Sequence, residues 1–188
     1  MQDLSANIET FFKDRYKTWD GSSQFTGTGA RLKRMVNEMF WEPEKISEEL
    51  NKCLKATFND KYDEMMVSGP TNVWTFCPHH LVPCNFKVWI GYIPNGQVLG
   101  LSKFSRLALI SAKRPIMQEQ YSRELAEFIE TGLKPKGLGV YVIGIHGCMF
   151  SRGVGQEVPV STSIIKGEFL KSEVRDEFYN IVRAREKL

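Results

Sequence analysis

The stretch Phe86-Lys87-Val88-Trp89-Ile90-Gly91-Tyr92-Ile93 decides the fold. Its residues alternate well enough between two faces to predict a β-strand. Asn95-Gly96 follows, a dipeptide that type I′ hairpin turns favour because both positions take positive φ. Residues 97–101 are therefore predicted to return as the partner strand.

Beyond this hairpin, helical periodicity replaces alternation. Ser102 is a good helix N-cap, and Pro115 ends the helix that it begins. The predicted elements are helices over 102–113 and about 116–131, strands over 139–146 and 158–165, and a closing helix over 173–185. Two strands, two helices and two strands predict an α+β domain, with two helices on one face of a largely antiparallel four-stranded sheet.

The N-terminal third is predicted to be helical, over residues 1–18, 30–39 and 43–58. Its pattern ends near Ser68-Gly69-Pro70, and a short β-prone run, 71–76, follows. The predicted organisation is an N-terminal helical region, 1–69, and a catalytic domain, 70–188, with its C-terminal helix.

Composition and charge narrow the function classes. With 25 Lys+Arg and 22 Asp+Glu, the net charge is only +3, without basic runs, which disfavours a nucleic-acid binder. No stretch approaches ~20 consecutive apolar residues, so no membrane span is predicted. The first four residues lack the features of a signal peptide, which predicts a cytoplasmic chain. A local cluster of basic residues from Lys103 to Arg114, with Arg152 apart, suits a phosphorylated small molecule.

The three His and four Cys are unevenly placed. Cys77-x-x-His80 has the spacing at which a thiolate and an imidazole converge on one metal ion. His146 and Cys148 lie two apart at the end of a predicted strand, so we expect their side chains on one face. If Cys148 joins the first pair, three protein ligands and an open position result, as in catalytic zinc sites.

In that arrangement His79 and His146 remain beside the metal as acid–base groups. The alternative is a closed structural zinc site with His146 as fourth ligand. A disulfide is disfavoured in a reducing cytosol. Cys53 and Cys84 are predicted to be small buried hydrophobic residues.

Five ordered blocks of the chain resemble the GTP cyclohydrolase I family, with closely similar spacing across about residues 71–185. They are Cys77-Pro78-His79-His80-Leu81-Val82-Pro83, Tyr92-Ile93-Pro94-Asn95-Gly96, Gly100-Leu101-Ser102-Lys103-Phe104-Ser105-Arg106, Arg114-Pro115-Ile116-Met117-Gln118-Glu119 and His146-Gly147-Cys148-Met149-Phe150-Ser151-Arg152-Gly153. The upstream element Thr28-Gly29-Ala30-Arg31-Leu32-Lys33-Arg34-Met35 is similar more weakly.

This resemblance implies the tunnelling fold (T-fold), in which subunits join their sheets into a barrel and two rings stack, commonly as a homodecamer. Active sites between subunits are implied, with residues 1–69 making oligomer contacts. The implied reaction is a zinc-dependent opening of the guanine imidazole ring of GTP. Carbon C8 leaves as formate, the ribose rearranges, and the ring recloses to 7,8-dihydroneopterin triphosphate.

The resemblance also implies roles for individual residues. The zinc ligands would be Cys77, His80 and Cys148. His79 would protonate the purine nitrogen next to C8, and His146 would serve the ribose-opening steps. The implied substrate-binding residues are Glu119 for the guanine edge, Gln118 beside it, Ser102 for the ribose or phosphate side, and Lys103, Arg106, Arg152 and Arg31 for the triphosphate.

Three positions depart from the family pattern: Pro78, Gln120 and Gly29 stand where Glu, Arg and Pro are usual. They leave open a shifted nucleotide preference, such as dGTP. A nitrile reductase-like enzyme of this fold and a non-catalytic pterin- or nucleotide-binding relative also stay open. The retained His79-His80 and His146-x-Cys148 disfavour both. The product could feed folate, other pterins or 7-deazaguanine compounds.

Overall fold

The computed structural model describes residues 4–186, so Met1–Asp3, on which the cytoplasmic prediction partly depends, and residues 187–188 lie outside the described residues. The chain divides into two compact units, Met1–Trp41 and Glu42–Leu188. Among residues 4–186, no helix has both the length and the apolar character needed to cross a bilayer.

The N-terminal unit is helical, with α1 (Leu4–Arg15), a short 3-10 turn (Asp20–Phe25) and α2 (Thr28–Met39). Gly29 on α2 lies close to the backbone of α1. A Cβ added there would lie 2.0 Å from the Ser5 backbone oxygen. The proline that the family pattern favours at this position would carry such a Cβ, so glycine suits this packing.

The C-terminal unit contains the sheet and the helices that cover it. Its helices are α3 (Pro43–Leu54), α4 (Ser102–Ser111), α5 (Gln118–Leu133), α6 (Gly147–Phe150) and α7 (Ser172–Glu186). Its strands are β1 (Thr57–Asn59), β2 (Met66–Phe76), β3 (Pro83–Ile93), β4 (Gln97–Leu99), β5 (Gly137–His146) and β6 (Val160–Gly167).

Four antiparallel strands form the main sheet in the order β2-β3-β5-β6. Helices α4 and α5 lie between the two strand pairs in sequence and cover one face. On that face Phe86 contacts Tyr121 at a ring-centroid distance of 5.4 Å, and Tyr92 contacts Phe104 at 4.9 Å. The predicted α+β class and T-fold arrangement of strands and helices are confirmed.

The opposite face is covered by α7, the predicted closing helix. Trp89, Phe169, Phe178 and Val182 are buried together there. Gly91 and Gly139 lie beneath these rings, where a Cβ would come within 2.7–2.8 Å of Phe178 or Phe169. Both faces of the sheet are thus covered around Trp89 and Tyr92, which fixes the register of the central strands.

The prediction that residues 97–101 pair with β3 is wrong. β4 pairs with β1, with Thr57 opposite Leu99, and the pair forms a separate small sheet. β3 has no free edge, because β2 occupies one side and β5 the other. β1 also replaces the predicted end of the third helix, which stops at Leu54.

The break predicted near Ser68-Gly69-Pro70 lies inside a strand. β2 begins at Met66, and its pairing with β3 shifts register between Ser68 and Thr71. Gly69 has φ +129°, and a Cβ there would lie 2.6 Å from the Val88 oxygen, so the irregularity requires glycine. The predicted boundary at 69/70 therefore falls within β2, and the predicted role of residues 1–69 in oligomer contacts stays a prediction.

Candidate metal centre and active site

A tight turn between β2 and β3 carries Cys77 and His80. The Leu81 N–H donates to the Cys77 oxygen at 2.8 Å, and the Cys77 N–H donates to the Val82 oxygen at 3.0 Å. Leu81 takes a positive φ of 51°, which reverses the chain. These bonds bring the His80 ring back over Cys77, and Nδ1 of His80 lies 3.5 Å from Sγ of Cys77.

Cys148 reaches the same place from α6. β5 ends where α6 begins, and His146 on β5 is opposite Cys84 at the start of β3. The turn before β3 and the helix after β5 are therefore neighbours. Gly147 permits their approach, since a Cβ there would lie 2.3 Å from the Pro83 oxygen.

The ligand atoms of Cys77, His80 and Cys148 all lie within 4.8 Å of one another. Ligands of one tetrahedral zinc ion are roughly 3.5–3.8 Å apart, given Zn–S and Zn–N bonds of about 2.3 and 2.1 Å. Two sulfurs and one imidazole nitrogen are a donor set that zinc accepts. The arrangement of these three residues fits a zinc ion, and His146 is not part of this group.

The two predicted catalytic histidines differ in environment. His79 is exposed, and its Nδ1 lies 3.8 Å from Sγ of Cys77. His146 is partly buried, with Nε2 2.8 Å from Oε1 of Gln118 and Nδ1 3.7 Å from Sγ of Cys84. Burial lowers the pKa of His146, and the negative charge of Glu119 partly opposes this shift.

His146 and Cys148 do not share a strand face, contrary to the prediction. β5 ends at His146, and Cys148 lies in the following helical turn. Burial and the neighbouring Cys77 thiol raise the pKa of Cys148, while the positive charge of Arg152 opposes the shift.

A cavity of about 220 Å³ joins these groups. Its lining contains two of the predicted metal ligands, both predicted catalytic histidines and the two predicted base-binding residues: Cys77, Pro78, His79, Ile116, Met117, Gln118, Glu119, His146, Cys148, Met149 and Val160. Glu119 is exposed at its rim, on the first turn of α5. Typical ligand pockets measure about 300–1,000 Å³, so this cavity suits part of a nucleotide.

The other predicted substrate-binding residues lie outside this lining. Ser102, Lys103 and Arg106 follow one another on α4, and Arg152 belongs to the exposed segment 151–159. Arg31 lies in the N-terminal unit, where its guanidinium donates to the Thr28 hydroxyl at 3.0 Å. Their contacts with a substrate stay predictions.

Ser102 is not the N-cap of α4. The helix begins at Ser102 after Leu101, and its cap has no side-chain hydrogen bond. The Lys103 N–H instead donates to the Gly100 oxygen at 2.8 Å, so the chain starts to turn before Ser102. The N-cap prediction is wrong, because backbone bonding from Gly100 takes that place.

Two contacts at the site were not predicted. Cys84 is buried as expected, and burial raises its pKa to about 11, but its sulfur also faces His146. Gln118 is 1% exposed, and its amide is bonded to the sheet as well as to His146. The isolated glycine at position 144 in β5 was the available signal, since a strand glycine often marks a close approach.

Comparison with known proteins identifies the family of this chain. The profile of the family described as GTP cyclohydrolase I matches residues 17–183. GTP cyclohydrolase 1 of Homo sapiens is 40% identical over 75% of this chain and 56% of its own length. GTP cyclohydrolase 1 of Chlorobium phaeovibrioides is 38% identical over 69% of this chain and 59% of its own.

The chain thus aligns with less than two thirds of these relatives' lengths. Among solved structures, an archaeosine synthase QueF-Like in the apo form has 20% identity and a TM-score of 0.45, covering 57% of this chain and 96% of its own. The family match extends over most of the chain and includes every residue of the site just described. This protein belongs to the GTP cyclohydrolase I family.

Proposed function

We propose that the protein is a zinc-dependent GTP cyclohydrolase I, which converts GTP and water to 7,8-dihydroneopterin triphosphate and formate. One observation carries the proposal. The ligand atoms of Cys77, His80 and Cys148 converge within 4.8 Å beside a cavity that also contains His79, His146 and Glu119. These are the residue types that opening of a purine ring requires, in one place.

Cys77, His80 and Cys148 would hold the zinc ion. When bound, zinc supplies electrophilic activation and a water of lowered pKa. His79 is exposed and lines the cavity, and it would give a proton to the purine nitrogen next to C8, which makes that carbon electrophilic. One water then adds at C8 and one bond from C8 to a ring nitrogen breaks, which leaves a formamide. A second water cleaves the remaining C8–nitrogen bond, so that C8 leaves as formate, and one water is returned when the new ring closes.

His146 lies deeper in the cavity and would serve the ribose-opening steps. Glu119 would accept two hydrogen bonds, from guanine N1–H and from the 2-amino group. Adenine lacks both donors in this arrangement, so the carboxylate selects guanine. The basic residues Lys103, Arg106, Arg152 and Arg31 would hold the triphosphate.

We further propose that the protein is a homodecamer with active sites shared between subunits. The cavity of about 220 Å³ suits the base but not a whole nucleotide. The predicted triphosphate ligands on α4 lie outside its lining. A neighbouring copy could supply them. We place the enzyme in the cytoplasm, where its four free thiols stay reduced, and its product would serve folate, pterin or 7-deazaguanine synthesis.

The test is an incubation of purified, zinc-loaded protein with GTP, dGTP or ATP. Formate release and pterin fluorescence are followed together, with the oligomer verified by its mass. We expect both signals with a guanine nucleotide and neither with ATP. The dGTP arm tests the altered preference that Gln120 and Pro78 leave open. The absence of formate from both guanine nucleotides, with zinc bound and the oligomer intact, contradicts the proposal.

Glu119→Gln tests the guanine contact. The amide loses the negative charge and can turn an N–H toward the donors of guanine. We expect the KM for GTP to rise about 10- to 100-fold, from the loss of hydrogen bonds to a charged group. Steady-state formate release measures this. With inosine triphosphate, which lacks the 2-amino group, the rise should be smaller.

Glu127→Gln is the matched control, because Glu127 is an exposed carboxylate on the same helix and does not line the cavity. It should leave the KM unchanged. An unaltered KM and rate in Glu119→Gln would place that carboxylate outside the base pocket.

A further inference from the structure

The Gln118 side-chain amide is held in one orientation by the sheet. Its Nε2 donates to the backbone oxygens of Val142 at 3.2 Å and Val160 at 2.9 Å, and to the Thr162 hydroxyl at 3.2 Å. Carbonyl oxygens can only accept hydrogen bonds. The NH₂ group therefore faces β5 and β6, and Oε1 faces the opposite way, toward His146.

This orientation assigns the proton on His146. Oε1 of Gln118 can only accept, and Nε2 of His146 lies 2.8 Å from it. Nε2 of His146 must therefore carry a hydrogen. In the neutral ring Nδ1 is then the nitrogen without a hydrogen, because a hydrogen bond at one imidazole nitrogen fixes the role of the other. Among the described residues, the polar neighbour of Nδ1 is the Cys84 sulfur, at 3.7 Å.

β5 makes room for this amide at Gly144. A Cβ added there would lie 2.1 Å from Oε1 of Gln118. Every other side chain at position 144 would therefore displace the oxygen that contacts His146. The Gln118 amide thus makes four contacts within the protein, and its contact with a substrate stays a prediction.

We propose that Gln118 is a positioning residue, which fixes the orientation of the His146 ring and holds the ring as the Nε2–H tautomer. The catalytic part of this inference rests on the proposed function. The tautomer itself rests only on the hydrogen bonds of Gln118 and the space at Gly144.

The test uses nitrogen-15 NMR of protein labelled in its histidines, because protonated and unprotonated ring nitrogens have well-separated shifts. His146→Ala identifies the His146 signals. We expect a protonated Nε2 and an unprotonated Nδ1 in the wild type. In Gln118→Met, an apolar side chain of similar length, and in Gly144→Ala, this pattern should be lost. The kcat for formate release should fall about 10- to 100-fold, as when a supporting hydrogen bond is removed, with unchanged KM and zinc content.

Gly139→Ala is the matched control. It adds the same methyl group to the same strand, but against Phe169 on the opposite face, at 2.8 Å. It should lower stability without altering the His146 spectrum, which separates positioning from folding.

A protonated Nδ1 with an unprotonated Nε2 in the wild-type spectrum overturns the inference, and needs no variant to fold. A wild-type spectrum and kcat in Gln118→Met or Gly144→Ala overturn it as well. If the wild type releases no formate but shows the expected tautomer, and Gln118→Met loses it, the proposed function fails while the tautomer assignment holds.

Discussion

Replacing His79 with alanine is expected to lower the rate of formate release by about 10²- to 10⁴-fold, the usual contribution of a positioned acid or base. His79 lines the cavity with an exposed ring, outside the three-residue group whose ligand atoms converge. Removing the ring deletes the proton donor and leaves Cys77, His80 and Cys148 in place. Formate release in a single turnover and zinc content per chain measure the two effects separately.

The adjacent residue provides the control. His80→Ala removes a ring of the same size from the same turn, but His80 is the one whose Nδ1 lies 3.5 Å from Sγ of Cys77. It should lose both zinc and activity. If His79→Ala loses the metal while His80→Ala keeps it, the roles of the two histidines are reversed.

Cys148→Ser should lower zinc affinity by more than about 100-fold, beyond the 10- to 100-fold that loss of an outer hydrogen-bond partner costs. A serine hydroxyl is a far poorer zinc ligand than a thiolate, and the two remaining ligands come from a single turn. Formate release should fall with the zinc content. Zinc titration with a competing chelator gives the affinity, and formate release with zinc in excess gives the activity.

Cys53→Ala is the control for loss of a thiol. Cys53 is buried on α3 and lies outside the group of three ligands, so its removal should leave the zinc content at the wild-type level. Unchanged zinc affinity in Cys148→Ser would exclude Cys148 as a ligand and would contradict the proposed three-ligand site.

The sequence alone predicted the elements whose signal lies in neighbouring residues. Alternation over residues 86–93 and helical periodicity in α5 depend on neighbours along the chain, and both elements were predicted. The partner of β4 depends instead on which strand edges are free. β5, which lies about 40 residues further along the chain than β4, pairs with the edge of β3 that β4 was expected to occupy. The local turn chemistry at Asn95-Gly96 therefore predicted the wrong pairing.

The candidate site shows the same difference between local and long-range sequence signals. Cys77 and His80 are close in sequence, and their spacing alone indicated a shared ion. The Gln118–His146 and Cys84–His146 contacts join segments 28 and 62 residues apart. Such contacts depend on the register between β3 and β5 and on the packing of α5, which no local pattern encodes. Gly69 and Pro70 were interpreted as a boundary between elements for a similar reason. Glycine and proline occur both at β-bulges and between elements, so the residue types alone do not distinguish the two.

The central position of β3 has a consequence for how the metal ligands are held. Its backbone is hydrogen-bonded along both edges, and its residues from Val88 to Tyr92 are buried. Segments of this kind open only when the whole domain unfolds. The Cys77–His80 turn leads directly into this strand, and α6 continues from its neighbour β5. The three proposed ligands are therefore held near one another before an ion binds, so we expect little conformational entropy to be lost on binding.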